Sequence, residues 1–216
     1  GIIFLLKAGK ISGASLMANG EAFEDASRKL SAENQIDKIG AHFVLVEEKS
    51  LSGIKLPKNH RTFFIKYLLG LIKLSDIEKE LRFQLDKIVK SGFQPSFINS
   101  HQHLHLLPRV SEIIINLAIE YRVEYIRIVN EPANFSGEKL FRKIQLLFLN
   151  FLSKKAKTNI QNAGLRCNEF FIGFINAGNL STSDVELARR LEKDYPDKIV
   201  EVGCHPGYED EFLKIK

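Results

Sequence analysis

Short apolar, β-branched runs alternate with amphipathic helical stretches from one end of this 216-residue chain to the other. That alternation predicts an α/β fold in which helices cover a parallel sheet, open or closed into a barrel. Strands are expected at Ser12 to Ala18, Ile39 to Val46, Ser96 to Ser100, Tyr125 to Val129, Phe170 to Phe174 and Ile199 to Gly203. The run at Ile39 is mostly apolar, as in a strand covered on both faces. Ile2 to Leu6 reads as the last turns of a helix closed by Gly9. Helical periodicity then appears in Glu21 to Leu30, with Ala22, Phe23, Ala26 and Leu30 inward, and in Val110 to Tyr121, Glu138 to Lys154 and Ser181 to Lys193. Arg61 to Leu74 and Asp76 to Ser91 form two helices separated at Ser75, whose hydroxyl suits an N-cap, and Leu51 to His60 is a long loop. Hydrophobic residues make up 44% and charged ones 26%, with no linker, so residues 1–216 read as a single folded domain.

The net charge of +5 suggests an acidic partner, but the lysines are spread along helices. Lys154, Lys155 and Lys157 form the densest run and no aromatic residues interleave with it, so no nucleic-acid surface is expected. Cys167 and Cys204 make neither a disulfide framework nor a CxxC knuckle. They read as small buried apolar residues in a reducing compartment. The apolar stretch Thr62 to Leu74 is broken by Lys66 and Lys73 and is too short to be a transmembrane segment. With no signal peptide ahead of it, a cytoplasmic protein is expected, open to assembly as a homo-oligomer.

Chemistry concentrates on histidine. His42, His101, His103, His105 and His205 sit at or just past the ends of expected strands, where α/β folds place their sites, while His60 falls in a loop and receives no role. In extended chain, alternate residues share a side, so His101 and His103 of Ser100-His101-Gln102-His103-Leu104-His105 are expected to face one pocket. Neutral imidazoles ligate zinc and similar divalent ions, and a hydrolytic metal keeps an open position for water. One histidine in an apolar strand, or one beside Pro206, is more often a packed residue than a ligand. Histidines ending three separate strands converge in a barrel mouth, and that convergence carries the inference.

Five segments, SGASLMANG (12–20), GAHFVLV (40–46), SHQHLHLLP (100–108), IRIVNEP (126–132) and EVGCHPGY (201–208), resemble in order and spacing the YdjC-like carbohydrate deacetylases. That group includes chitooligosaccharide and hopanoid-biosynthesis deacetylases. The resemblance implies a distorted (β/α) barrel of the polysaccharide-deacetylase type, a divalent metal ion (Mg or Zn), and an N-acetylated sugar or oligosaccharide as substrate. It carries metal ligation to His42 and His101, the role of general acid to His205, and substrate-pocket roles to His103 and Arg127. Two departures accompany it. The family's opening Ala-Asp-Asp-Phe-Gly segment, source of a third ligand and the general base, is expected ahead of Gly1, and the Asp before the Ser-His pair is here Asn99. The chain therefore reads as incomplete at both ends and inactive by itself, with an unpaired edge beside Ser12 to Ala18 and Glu131 as a weak substitute base.

Two rival readings stand beside this one. Another metallohydrolase barrel, an amidohydrolase or phosphoesterase, also uses His-x-His after a strand, though nearer the start of its domain. A catalytically silent sugar-binding remnant of the fold would keep the barrel without the aspartates.

Overall fold

In the computed structural model, residues 1–33, 36–132 and 140–206 are described. Among them five short strands, all parallel, provide the frame: β1 (Ala14–Leu16), β2 (Ile39–Phe43), β3 (Ile98–Ser100), β4 (Phe170–Ile172) and β5 (Val200–Val202). The first three form one sheet in the order β1-β2-β3, and β4 pairs with β5. Isolated parallel bridges from Ile98 to Ile126 and from Tyr125 to Arg166 connect the two pieces. Phe171 N–H also donates to Asn130 O, so backbone pairing runs in chain order from β1 to β5. The result is an arc of parallel strands; among the described residues β1 and β5 do not pair to close it into a barrel.

Among the described residues seven α-helices accompany the arc: α1 (Ile2–Lys7), α2 (Phe23–Ala32), α3 (His60–Leu68), α4 (Leu74–Lys90), α5 (Pro108–Glu120), α6 (Leu140–Asn162) and α7 (Thr182–Asp194). Their periodicity explains their packing. α4 buries Ile77, Leu81, Leu85 and Ile88, one stripe at helical spacing, and α5 buries Val110, Ile114, Leu117 and Ala118. These stripes meet Ile39, Ala41 and Phe43 of β2 and Ile98 of β3 in one continuous apolar core. At roughly 1.5–3 kcal/mol for each fully buried large aliphatic or aromatic side chain, that core is the main stabilising term.

Several expected boundaries shift. α3 begins at His60, capped by Asn59, whose side chain accepts from Thr62 N–H at 2.9 Å, so His60 is helical. α4 begins one residue before Ser75, with Lys73 in the cap position, so Ser75 lies inside the helix. α6 runs two turns beyond Lys154, and Glu138 lies outside the described residues, as do Gly207 and Tyr208 of the last motif. The expected strand Tyr125 to Val129 is reduced to its bridges for a specific reason. Buried side chains take over its ladder: Asn168 Oδ1 accepts from Ile128 N–H at 2.8 Å while its amide donates to Ile128 O, and Ser153 Oγ bonds both N–H and C=O of Val129.

Neither cysteine is a buried apolar residue as expected: Cys167 is half-buried and Cys204 exposed, because Cys204 follows the end of β5 instead of lying within the core. No described helix is long and apolar enough to cross a membrane.

Candidate active site

The parallel register sets the first pair of site residues side by side. His42 on β2 stands opposite Asn99 on β3, and neighbouring strands lie about 4.8 Å apart, so the two side chains meet on one face. Glycines keep that face open below them. A Cβ on Gly40 would lie 2.4 Å from the Phe97 ring, so only a residue without a side chain admits the phenyl group there.

From Asn99 a chain of polar contacts crosses the arc. Arg127 has only donors, so the Asn99 amide presents oxygen to it, accepting from the two Nη atoms at 3.1 and 3.2 Å. The amide nitrogen then donates to His42 Nδ1 at 2.6 Å. Arg127 Nε donates to Glu201 of β5 at 2.6 Å, Tyr125 Oη donates to the other carboxylate oxygen at 2.7 Å, and the guanidinium sits 5.1 Å over the Phe171 ring of β4. Burial, with Glu201 beside it, pushes the Tyr125 hydroxyl far above its ordinary range. Arg127 is thus a central cross-link of the site, held by β3, β4 and β5 at once.

His101 reaches the site from the other side. Its ring lies 6.0 Å from that of His42, edge to face, and its Nε2 is 2.9 Å from Glu47 Oε2. Glu47 stands in the loop after β2 with φ 72°, an uncommon conformation for a residue with a side chain. α4 holds that loop: Gln84 bonds N–H and C=O of Val44, and the buried Glu80 carboxylate accepts from Leu51 and Ser52 N–H. Glu47 and Glu201 were missed from the sequence; a carboxylate just past the expected strand in Val46-Glu47-Glu48 was the available signal for the first.

The histidine triple is not extended. Residues His101–Leu106 make 3₁₀ turns, and Gln102 and His103 adopt φ of 55° and 54°. His101 and His103 therefore part company instead of sharing a side. His101 joins His42, while His103 packs 5.9 Å from Phe171 and 5.7 Å from Phe174, its Nδ1 inaccessible and without a hydrogen-bond partner. His105 is buried in a fixed tautomer: Nε2–H donates to Arg127 O at 2.8 Å, and Nδ1 lies 2.7 Å from Ser100 Oγ.

Burial keeps these rings neutral. His42 is lowered to about 4, chiefly by loss of water, with the positive charges of His101, Arg127 and His205 acting in the same direction. His105 is lowered to about 4 by burial first and by Arg127, and His103 falls well below the ordinary value for the same leading reason. His205 lies exposed beyond β5, close enough for its charge to be felt at His42. Glu131, the substitute base suggested by the sequence, is engaged elsewhere: it is buried and accepts from Phe174 N–H at 2.6 Å and from Ile175 N–H. Burial raises its carboxyl, those N–H groups partly offsetting the effect.

A divalent cation fits these residues only in part. His42 and His101 approach each other, but among the described residues no three His, Cys, Asp or Glu side chains are grouped to hold one.

The sequence profile of the YdjC-like protein family matches residues 1–216. A carbohydrate deacetylase of Clostridium beijerinckii is 28% identical over 97% of this chain and 76% of its own length. A chitooligosaccharide deacetylase of Yersinia enterocolitica is 27% identical over 80% of this chain and 76% of its own. Among solved structures, a candidate cellobiose-phosphate cleavage protein from Enterococcus faecalis V583 superposes with a TM-score of 0.70 at 19% identity, covering all of this chain and 78% of that one. At that identity the likeness speaks for the fold.

Proposed function

The chain belongs to the YdjC-like family, and from that premise we propose that it is a hydrolase that removes N-acetyl groups from amino sugars or oligosaccharides. The observation that supports this reading is the approach of His42 to His101 and, through Asn99, to Arg127 and Glu201, with the charge of His205 felt at His42. The names of the deacetylase relatives point the same way.

An amide nitrogen is a poor leaving group, so its departure needs a proton delivered as the C–N bond breaks. His205, exposed beyond β5, is the residue proposed to deliver it. Arg127, fixed by Asn99, Glu201 and Phe171, would offer donors to the sugar or to the developing oxyanion, and the unpartnered Nδ1 of His103 marks a second polar group near the Phe171 and Phe174 rings. A magnesium or zinc ion, if bound, would take His42 and His101 and polarise the amide carbonyl; the remaining donor would have to come from outside the described residues.

Acetate release from an N-acetylated chitooligosaccharide, measured on the full gene product with added divalent cation, tests the proposal. Release that falls on His205→Ala is expected, and no release under any cation would overturn it. The incomplete donor set among the described residues, together with Asn99, favours one second reading, a sugar-binding member without turnover. Calorimetric binding of the same oligosaccharide without acetate release would select it.

A further inference from the structure

The contact between Asn99 and Arg127 decides where His42 carries its proton. Because Arg127 offers only donors, the amide oxygen turns to the guanidinium and the amide NH₂ faces Nδ1 of His42 at 2.6 Å. Ser15 Oγ, a further hydroxyl that can donate, lies 3.4 Å from the end of the amide that meets Arg127. A ring nitrogen facing an N–H at that distance must present its lone pair. Nδ1 is then the bare nitrogen, and the proton of the neutral ring sits on Nε2.

We propose that Asn99 is a positioning residue that holds His42 in its Nε2–H tautomer and thereby opposes coordination of a divalent cation by that ring. Nδ1 is taken by Asn99, so a cation must use Nε2. To free that nitrogen, the proton must move to Nδ1, where it meets an amide N–H. Turning the amide over resolves that clash and creates another, because its NH₂ would then face the two Nη donors of Arg127. A carboxylate at this position has no such conflict, since one oxygen accepts from Nδ1–H and the other from Arg127. Groups that orient a ligand histidine through its second nitrogen change metal affinity by about 10–100-fold.

The tautomer is a property of the metal-free chain; only its consequence for metal rests on the reading of His42 as a donor. The experiment uses the 216-residue chain, labelled with ¹⁵N-histidine and freed of metal by a chelator, with Asn99→Asp and Arg127→Met beside it. Long-range ¹H–¹⁵N correlation assigns the protonated nitrogen of His42, and calorimetry with zinc measures binding. In the unsubstituted chain, Nδ1 without a proton and Nε2 with one are expected. Asn99→Asp is expected to reverse the two and to tighten zinc roughly 10–100-fold. Arg127→Met, which releases the amide, is expected to give Nδ1 part of the proton. A protonated Nδ1 in the unsubstituted chain overturns the proposal, a result that needs no variant to fold. Equal zinc affinity in a folded Asn99→Asp chain overturns it as well. Acetate release is not among these measurements, so loss of the deacetylase reading leaves the outcome standing.

Discussion

Lowering the pH from 7 to 5 should cost this chain about 2 kcal/mol of stability through His105 alone. The ring is almost fully buried, and its two nitrogens are committed to Arg127 O and Ser100 Oγ in a neutral tautomer. Its pKa is lowered to about 4 in the folded chain, first by burial, against an ordinary value of 6.5. The sign follows from proton counting. Between those values the unfolded chain binds the proton and the folded chain does not, so stability falls as pH falls. The loss begins near pH 6.5 and levels off below about 4, where both states are protonated. Linkage over two pH units gives about 2 kcal/mol for one such group. His42, also lowered to about 4, acts in the same direction. Urea unfolding of the metal-free chain at pH 7 and pH 5, run beside His105→Gln, separates the contributions. The variant is less stable at both pH values but should lose about 2 kcal/mol less between them. Equal losses in the two chains would refute the assignment of a neutral, buried His105.

Four further outcomes can be measured. His205→Ala in the full gene product should lower turnover by roughly 10²–10⁴-fold, the range for losing a general acid, while calorimetric zinc binding stays nearly unchanged; unchanged turnover removes the residue from the mechanism. Gly40→Ala should destabilise by roughly 1–3 kcal/mol, because the added Cβ lies 2.4 Å from the Phe97 ring, and a thermal melt unchanged from the parent would contradict that packing. Asn168→Ala should cost at least about 1–3 kcal/mol in urea unfolding, since it strands Ile128 N–H and C=O in the interior. Residues 1–216 should bind zinc weakly in calorimetry, because the described residues bring only His42 and His101 together, and tight binding would show that the chain holds a complete site.

What the sequence made legible was governed by periodicity. α4 and α5 repeat their apolar residues at helical spacing, so their faces could be read directly, and β2 is a short apolar run between glycine and loop residues. The placement of His42 beside His101 followed from the same logic, since both end neighbouring parallel strands. Failure came where side chains replace backbone pairing. Tyr125 to Val129 has strand composition, but Asn168 and Ser153 take its hydrogen bonds, and nothing local in the strand announces partners 24 and 40 residues away. The histidine triple was misread for a related reason. Alternation was the natural expectation, whereas positive φ at Gln102 and His103 kinks the segment between 3₁₀ turns and sends His103 toward Phe171 and Phe174. Glu47 escaped notice because its position depends on Gln84 and Glu80 anchoring the loop from α4.

The amide at position 99 affects more than a tautomer. Arg127 faces two groups on the arc, Asn99 on one side and the Glu201 carboxylate on the other, and only the second carries charge. With a neutral ring at His42, the fixed charges named around the site are Arg127 against Glu201 and Glu47. Glu201 balances Arg127 from the far side of the guanidinium, so the side that faces Asn99 and His42 has no negative charge of its own. A carboxylate at position 99 would place negative charge between the guanidinium and the His42 ring, the position where it attracts the ion most and shields Arg127 best. The amide supplies neither effect, so tautomer and charge disfavour the ion together. Their separation is experimental: raising ionic strength screens the charge effect, less so as the site becomes buried, and leaves the tautomer effect intact. A zinc affinity difference between the chain and Asn99→Asp that persists at high salt would assign most of it to the proton on His42, and one that collapses would assign it to charge.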